Sequence, residues 1–208
     1  MLKPGKGKTH KAYMWVLIGG DPPEKSPYRV FHFRLTRKHE TIFQLLPNYS
    51  GILHSDKYGA YMALAKHRQI TWCPCWAHIR RKFFDARSGD RKFRKWVLLK
   101  IRHLFIWEKI AWLRSPEERL KIREEREQKI IVKLISKIKN KQIDSKLLPK
   151  SGLVKAMNYF LGLESYLSNY LKNPFARMEN NTAERSIRPL AIGRKNWLFV
   201  GSEEGGKA

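Results

Sequence analysis

From about Phe93 onward the apolar residues of this 208-residue chain fall at helical spacing and do not return to strand alternation, so any sheet has to be built before that point. Phe93, Val97, Ile101, Leu104 and Phe105 line one stripe, and Ser115-Pro116-Glu117-Glu118 reads as a capping box with Pro at the first helical position. The helix it opens is long. Its first half, through residues 124–128, is charged and reads as solvent-facing, whereas Ile130, Ile131, Leu134 and Ile138 read as its packed half. Residues 139–150 read as a polar, lysine-rich connection ending near Pro149, and residues 153–171 as a further helix.

The strands come earlier. Residues 12–18 and 28–35 are β-rich segments flanking a turn that contains Gly19, Gly20, Asp21, Pro22 and Pro23, which predicts an antiparallel hairpin. Residues 37–46 carry helical spacing, stopped by Pro47 and Asn48. Residues 51–56 predict a short strand, followed by a helix from Lys57 in which Tyr58, Tyr61, Met62 and Ala65 share a face, and residues 70–73 predict a last strand. The class is α/β with a large helical insertion, and no internal repeat is present.

Lys and Arg outnumber Asp and Glu by 43 to 18, a net charge of +25, which points to a polyanion as partner and to binding that weakens steeply with salt. A basic excess by itself also suits a ribosomal or membrane-surface protein. The 42% hydrophobic content and seven Trp residues imply a buried core rather than a disordered basic tail. No apolar run approaches the roughly 20 residues of a membrane span. The basic, apolar opening imitates a signal peptide, but a Gly/Pro turn follows it and a small-residue cleavage site does not. Two cysteines make no disulfide framework, so a cytoplasmic chain with reduced thiols is expected.

Chemistry concentrates in residues 180–206, NNTAERSIRPLAIGRKNWLFVGSEEGG. Asn181 is a good helix N-cap, Glu184 stands three residues later at the capping-box position, and Arg185 and Arg188 follow on the same short helix up to Pro189. Spacing alone leaves Glu184 two readings, a carboxylate that returns a hydrogen bond to the cap or one that binds a metal ion. Three more segments bear on the choice: SDKYGAY at residues 55–61, CWAHIRRKFF at residues 75–84 and GKGKTHKAYMWV at residues 5–16. With that closing run, and in their order along the chain, they resemble the catalytic domain of the insertion sequence 66 family transposases, of the DDE class with an RNase H-like core.

The resemblance implies an RNase H-like mixed sheet with flanking helices, with residues 1–90 and 151–208 forming the core and residues 91–150 the helical insertion. It implies Asp56 as the second acidic metal ligand and Glu184 as the third, holding Mg²⁺ or Mn²⁺ in a two-metal site for DNA end cleavage and strand transfer. The family's first carboxylate lies in a DET motif on its first strand. Here the acids before Asp56 are Asp21, Glu24 and Glu40, in a turn and a helix, so the first strand is expected to be missing and the chain inactive alone. Glu179 stands where the family commonly has Asp. DNA is the implied partner, with an upstream transposase fragment and further copies on DNA ends.

Arg194, Lys195 and Trp197 are the leading candidates for DNA contact, against a reading as a basic strand edge with a buried Trp. Arg185 and Arg188 join them, as do Arg80, Arg81 and Lys82, beside the core-facing Phe83 and Phe84. Cys73, Cys75 and His78 supply no fourth ligand for zinc, and His78 reads either as a structural histidine or as a neighbour of the active site. The alternative to a transposase domain is a non-catalytic nucleic-acid-binding protein.

Overall fold

A computed structural model of the chain describes residues 11–19, 28–67, 69–144 and 147–196. The described elements run β1 (Tyr13–Gly19), β2 (Tyr28–Arg34), α1 (His39–Leu45), β3 (Gly51–Ser55), α2 (Gly59–His67), β4 (Ile70–Pro74), α3 (Trp76–Asp85), α4 (Arg91–Ala111), α5 (Pro116–Ile122), α6 (Gln128–Gln142), α7 (Gly152–Leu161), α8 (Asn181–Ser186) and α9 (Arg188–Asn196). The chain divides into two compact units, one of Met1–Tyr49, Gly59–Leu64 and Asn181–Ala208, the other of Ser50–Tyr58 and Ala65–Asn180.

In the first unit β1 and β2 pair antiparallel as expected, from Tyr13 opposite Arg34 to Gly19 opposite Tyr28. The Pro-rich turn between them lies outside the described residues. Residues paired across the strands share a face, so Trp15 and Phe33, one step out of register, are buried on opposite faces of the hairpin. Tyr61 meets the Trp15 ring edge-on at 6.2 Å. A Cβ at Gly19 would meet the exposed Tyr28 ring, which would have to swing aside for any larger residue there. Helix α8 lies against β1, and Arg29 Nε of β2 donates to Ser186 Oγ at 2.9 Å.

In the second unit β3 and β4 pair parallel, Gly51 opposite Ile70 through Ser55 opposite Pro74. Gly51 takes a positive φ of 116°, which glycine adopts without strain. Both strand polarities are thus present, one in each two-stranded sheet among the described residues. Helices α3, α4, α6 and α7 bury Phe83, Ile101, Leu134 and Phe160 in the core, where Trp76 and Phe83 meet the Phe160 ring edge-on at 6.1 and 6.2 Å. The capping box forms as read: Ser115 Oγ accepts the Glu118 N–H, and Glu118 Oε2 accepts the Ser115 N–H, both at 3.2 Å.

Several expectations are corrected. Helix α2 begins at Gly59 and buries Ala60 and Leu64, with Tyr61, Met62 and Ala65 only half-buried. Residues 139–142 continue α6, where Lys139 pairs with Glu164 at 2.6 Å and Lys141 bridges Asp90 and Asp144, both at 2.8 Å; these pairs hold the polar end in helix. The last helix of this unit stops at Leu161. Gly162 closes it, and two 3-10 turns, Glu164–Tyr166 and Asn169–Lys172, replace the expected continuation.

The largest correction concerns the charged half of the long helix, which is not solvent-facing throughout. Arg119, Arg123 and Glu127 are buried, together with Glu108 of α4. Arg123 gives all five guanidinium hydrogens to acceptors. Nε and Nη2 donate to Glu108, and the remaining bonds go to the backbone oxygens of Tyr170 (2.9 Å), Asn173 (2.7 Å) and Ala176 (2.7 Å). Arg119 donates to the oxygens of Ala111, Arg114 and Pro174, and its guanidinium stacks 3.8 Å from the centre of the Trp112 ring, with Arg177 also 4.1 Å from that centre. Between α5 and α6, Arg123–Glu127 form one turn of π-helix, in which the Gln128 N–H reaches back to Arg123 O. These arginines hold the backbone of residues 170–176, and the Arg123 guanidinium also lies 5.3 Å from the centre of the Tyr170 ring.

Candidate functional site

Asp56 leaves the carboxyl end of β3, the end of a parallel strand pair at which α/β folds place ligand-binding side chains. The Cys75 N–H donates to Ser55 O at 3.0 Å, which fixes the two strand ends side by side. Ser55 Oγ is buried between the Trp72 indole N–H (2.8 Å) and Asp56 O (3.0 Å). Asp56 Oδ1 accepts the Tyr58 N–H at 3.2 Å, a local turn that orients the half-buried carboxylate.

Lys57 is tied in the opposite direction. Its ammonium donates to Tyr159 O at 3.2 Å in the last turn of α7 and lies 5.0 Å from the centre of the Tyr159 ring, where the C-terminal end of a helix dipole favours a cation. Gly162 leaves room for that ammonium, since a Cβ there would stand 2.3 Å from Nζ. Burial, and then the nearby Asp56 carboxylate, push the Tyr159 phenol up to about 12, so it stays protonated.

The return segment crosses the same end of the strand pair. The Trp76 N–H donates to Met178 O at 2.9 Å, and the Asn180 N–H to Cys75 Sγ at 3.3 Å. His54 Nε2 accepts the Arg177 N–H at 3.4 Å; burial first, then Arg177 and Arg123, lower this histidine to about 4, and it is neutral at physiological pH. His78, on the first turn of α3, brings a ring nitrogen within 4.8 Å of Cys75 Sγ. Burial pushes the Cys73 thiol up to about 12, which keeps it from serving as a thiolate ligand.

Glu184 belongs to the other unit, exposed on the six-residue α8. Asn181 is the first residue of that helix rather than its cap. Arg185 is exposed beside Glu184, but the helix breaks at Ile187, and Arg188 opens α9 with Pro189 in the first turn, where a missing N–H is tolerated.

With these motifs placed, the match can be read along the chain: the family profile described as Transposase IS66 family matches residues 1–208. The chain belongs to the IS66 transposase family. Among curated proteins of Sinorhizobium fredii (strain NBRC 101917 / NGR234), it is 33% identical over 217 residues to "Uncharacterized protein y4qI", covering 99% of this chain and 40% of that protein. It is 28% identical over 217 residues to "Uncharacterized protein y4jD", covering 99% of this chain and 42% of that one. The chain thus spans about two fifths of the length of the curated relatives it matches. No solved structure matches it.

Within this IS66 chain, Arg80, Arg81 and Lys82 are exposed on α3, opposite buried Trp76, Ile79 and Phe83. Phe84, expected in the core, is 58% exposed and lies under the Arg80 guanidinium at 5.8 Å. Lys82 lies 5.3 Å from the Tyr159 ring centre, so Tyr159 takes a cation from each of two elements beside Asp56. Arg194 and Lys195 fall on the backbone of α9, a helix and not a strand edge, and Trp197 lies outside the described residues. Sequence reasoning missed Lys57 and Tyr159. It also missed the buried Glu108–Arg123 pair, although Arg119, Arg123, Glu127 and Ile131 follow one another at a spacing of four, which is a signal of a shared face.

Proposed function

We propose that this chain is part of a DDE-type transposase catalytic domain with an RNase H-like core, acting on DNA ends by metal-dependent cleavage and strand transfer. The observation that carries the reading is Asp56 at the carboxyl end of the parallel pair β3–β4, with the Asn180 N–H bonded to Cys75 at that same end. Glu184 follows Asn180 by four residues in sequence, and the family's motif order pairs the two carboxylates.

The donor chemistry suits the metal. Asp56 offers hard oxygen ligands, and the Tyr58 N–H on Oδ1 orients the carboxylate. A bound Mg²⁺ or Mn²⁺ would activate the attacking hydroxyl and stabilise the leaving oxygen of a phosphodiester. Asp56 and Glu184 would hold the ion, while Lys57, anchored on Tyr159 O, keeps the residue after Asp56 from shifting. Arg80 and Arg81, exposed on α3, would meet phosphate oxygens. Residues 1–90 and 151–208 would form the core, and 91–150 the insertion.

The test is thermal stabilisation by Mn²⁺ of the wild-type chain, Asp56→Asn and Glu184→Gln, followed by cleavage of element-end DNA with and without an added fragment carrying the family's DET strand. A rise in Tm in the wild type that both variants lose, with cleavage on addition of the fragment, supports the reading. Equal Mn²⁺ shifts in all three proteins would remove both carboxylates from the site.

A further inference from the structure

We infer that the outer face of α6 is a second nucleic-acid contact, a lysine ladder that docks the phosphate backbone of duplex DNA without reading bases. The proposal rests on nucleic acid as partner but not on the metal site. Lys129, Lys133 and Lys137 stand four residues apart, exposed, on the side of α6 opposite buried Ile131, Leu134 and Ile138. None of the three forms an ion pair among the described residues, whereas Lys139 and Lys141 are used in pairs with Glu164, Asp90 and Asp144.

An ordinary solvated helix face mixes signs, with Glu and Lys four apart. The first half of this same helix does so, and Lys121 and Glu125 approach to 4.0 Å there. Residues 128–142 contain no acid at all. Like charges at successive four-residue steps destabilise a free helix, a repulsion that a polyanion relieves. The ladder advances about 6 Å per step. Duplex DNA carries one charge per about 1.7 Å of axis, so each flexible ammonium finds a phosphate without a fixed register. An anionic membrane is the poorer fit, because between the lysines this face offers Val132, Ser136 and Asn140 and lacks the Trp, Phe or Leu of interfacial helices.

The experiment compares the full chain with Lys129→Gln/Lys133→Gln/Lys137→Gln and with an equal-charge control, Lys109→Gln/Lys155→Gln/Lys172→Gln, three exposed lysines on other elements. Affinity for a duplex of unrelated sequence is followed by fluorescence anisotropy against salt in EDTA, so that failure of the metal site has no bearing on the result. The expected result is a slope of log K against log salt shallower by about 2 to 3 in the ladder variant, near 0.9 per lost phosphate contact, with the control close to wild type. Tm should hold steady or rise slightly as the repulsion is removed. Equal slopes in the two variants would overturn the proposal, as would a ladder variant that loses binding to phosphatidylserine vesicles while keeping its hold on the duplex.

Discussion

The Tyr170 hydroxyl donates to Glu127 Oε2 at 2.6 Å, and Glu127 in turn lies beside Glu108, whose carboxylate is already engaged by Arg123. Two carboxyls therefore share a buried space with one guanidinium between them. Burial, and then the Glu108 charge, raise Glu127 to about 8. Glu127 therefore keeps a proton at neutral pH, and Oε1, which has no other hydrogen-bond partner among the described residues, is the atom to carry it towards Glu108.

A pH dependence follows from the sign of that shift. Because the folded-state pKa of Glu127 is raised, its contribution to stability is complete below the unfolded value near 4.5 and is lost as pH rises to about 8. His54, lowered to about 4, works the other way between about 4 and 6.5, its contribution being present above that window and lost as pH falls through it. Above pH 6.5 only the Glu127 slope of the two remains. Stability should fall by about 1–2 kcal/mol between pH 6.5 and 8, and Glu127→Gln should flatten the fall. Urea unfolding at a series of pH values checks it, and an unchanged slope in the variant would assign the proton elsewhere.

Arg123 should behave as one half of a unit. Arg123→Met strands a buried carboxylate and three backbone oxygens and should destabilise by about 3–5 kcal/mol. In the double variant Glu108→Met/Arg123→Met the stranded charge disappears, so its loss should fall short of the sum of the two single losses by on the order of 2 kcal/mol. Strict additivity in a double-mutant cycle would deny the pair.

The two cysteines should be silent. Cys73 and Cys75 are both buried, and the Cys73 thiol is pushed up to about 12. A chromogenic disulfide reagent should label neither in the native chain at pH 8 and both after denaturation. Rapid native labelling would mean that the segment around β4 opens.

Gly162→Ala tests the seat of Lys57. The added methyl meets the mobile end of a side chain, so the loss should stay under about 1 kcal/mol. In a Lys57→Ala background the same substitution should be neutral or stabilising, as removal of a glycine usually is.

Legibility in the sequence tracked whether periodicity and burial agreed. The hairpin, the βα alternation up to β4 and the Ser115 capping box were readable, because there apolar residues or cap chemistry mark the inside directly. Arg119, Arg123 and Glu127 misled because charge was taken as a sign of solvent, although the acceptors that satisfy Arg123 lie on residues 108 and 170–176, distant in sequence. The end of α7 is hidden for a similar reason: the apolar spacing of residues 153–171 continues past Gly162, while the ammonium that takes Tyr159 O and fills the space at Gly162 belongs to a lysine about a hundred residues earlier. Asp56 was legible through its motif. The tie of Asn180 to Cys75 was not, since a backbone N–H on a sulfur leaves no trace in sequence.

The π-turn at Arg123–Glu127 gives this stretch of chain room for one extra residue. On an ideal α-helix each step of four residues advances about 40°, so Arg119, Arg123, Glu127 and Ile131 would drift through about 120°. All four are nevertheless buried, and the wider turn takes up the drift. Excising one residue between Arg123 and Glu127 would close the wide turn into a plain helix and leave Ile131 and Leu134 facing the core, whereas excising one from the regular part of α6 would turn everything after it by about 100°. The identities of Glu124, Glu125 and Arg126, all exposed, are open to change. Their number can fall by one without turning α6.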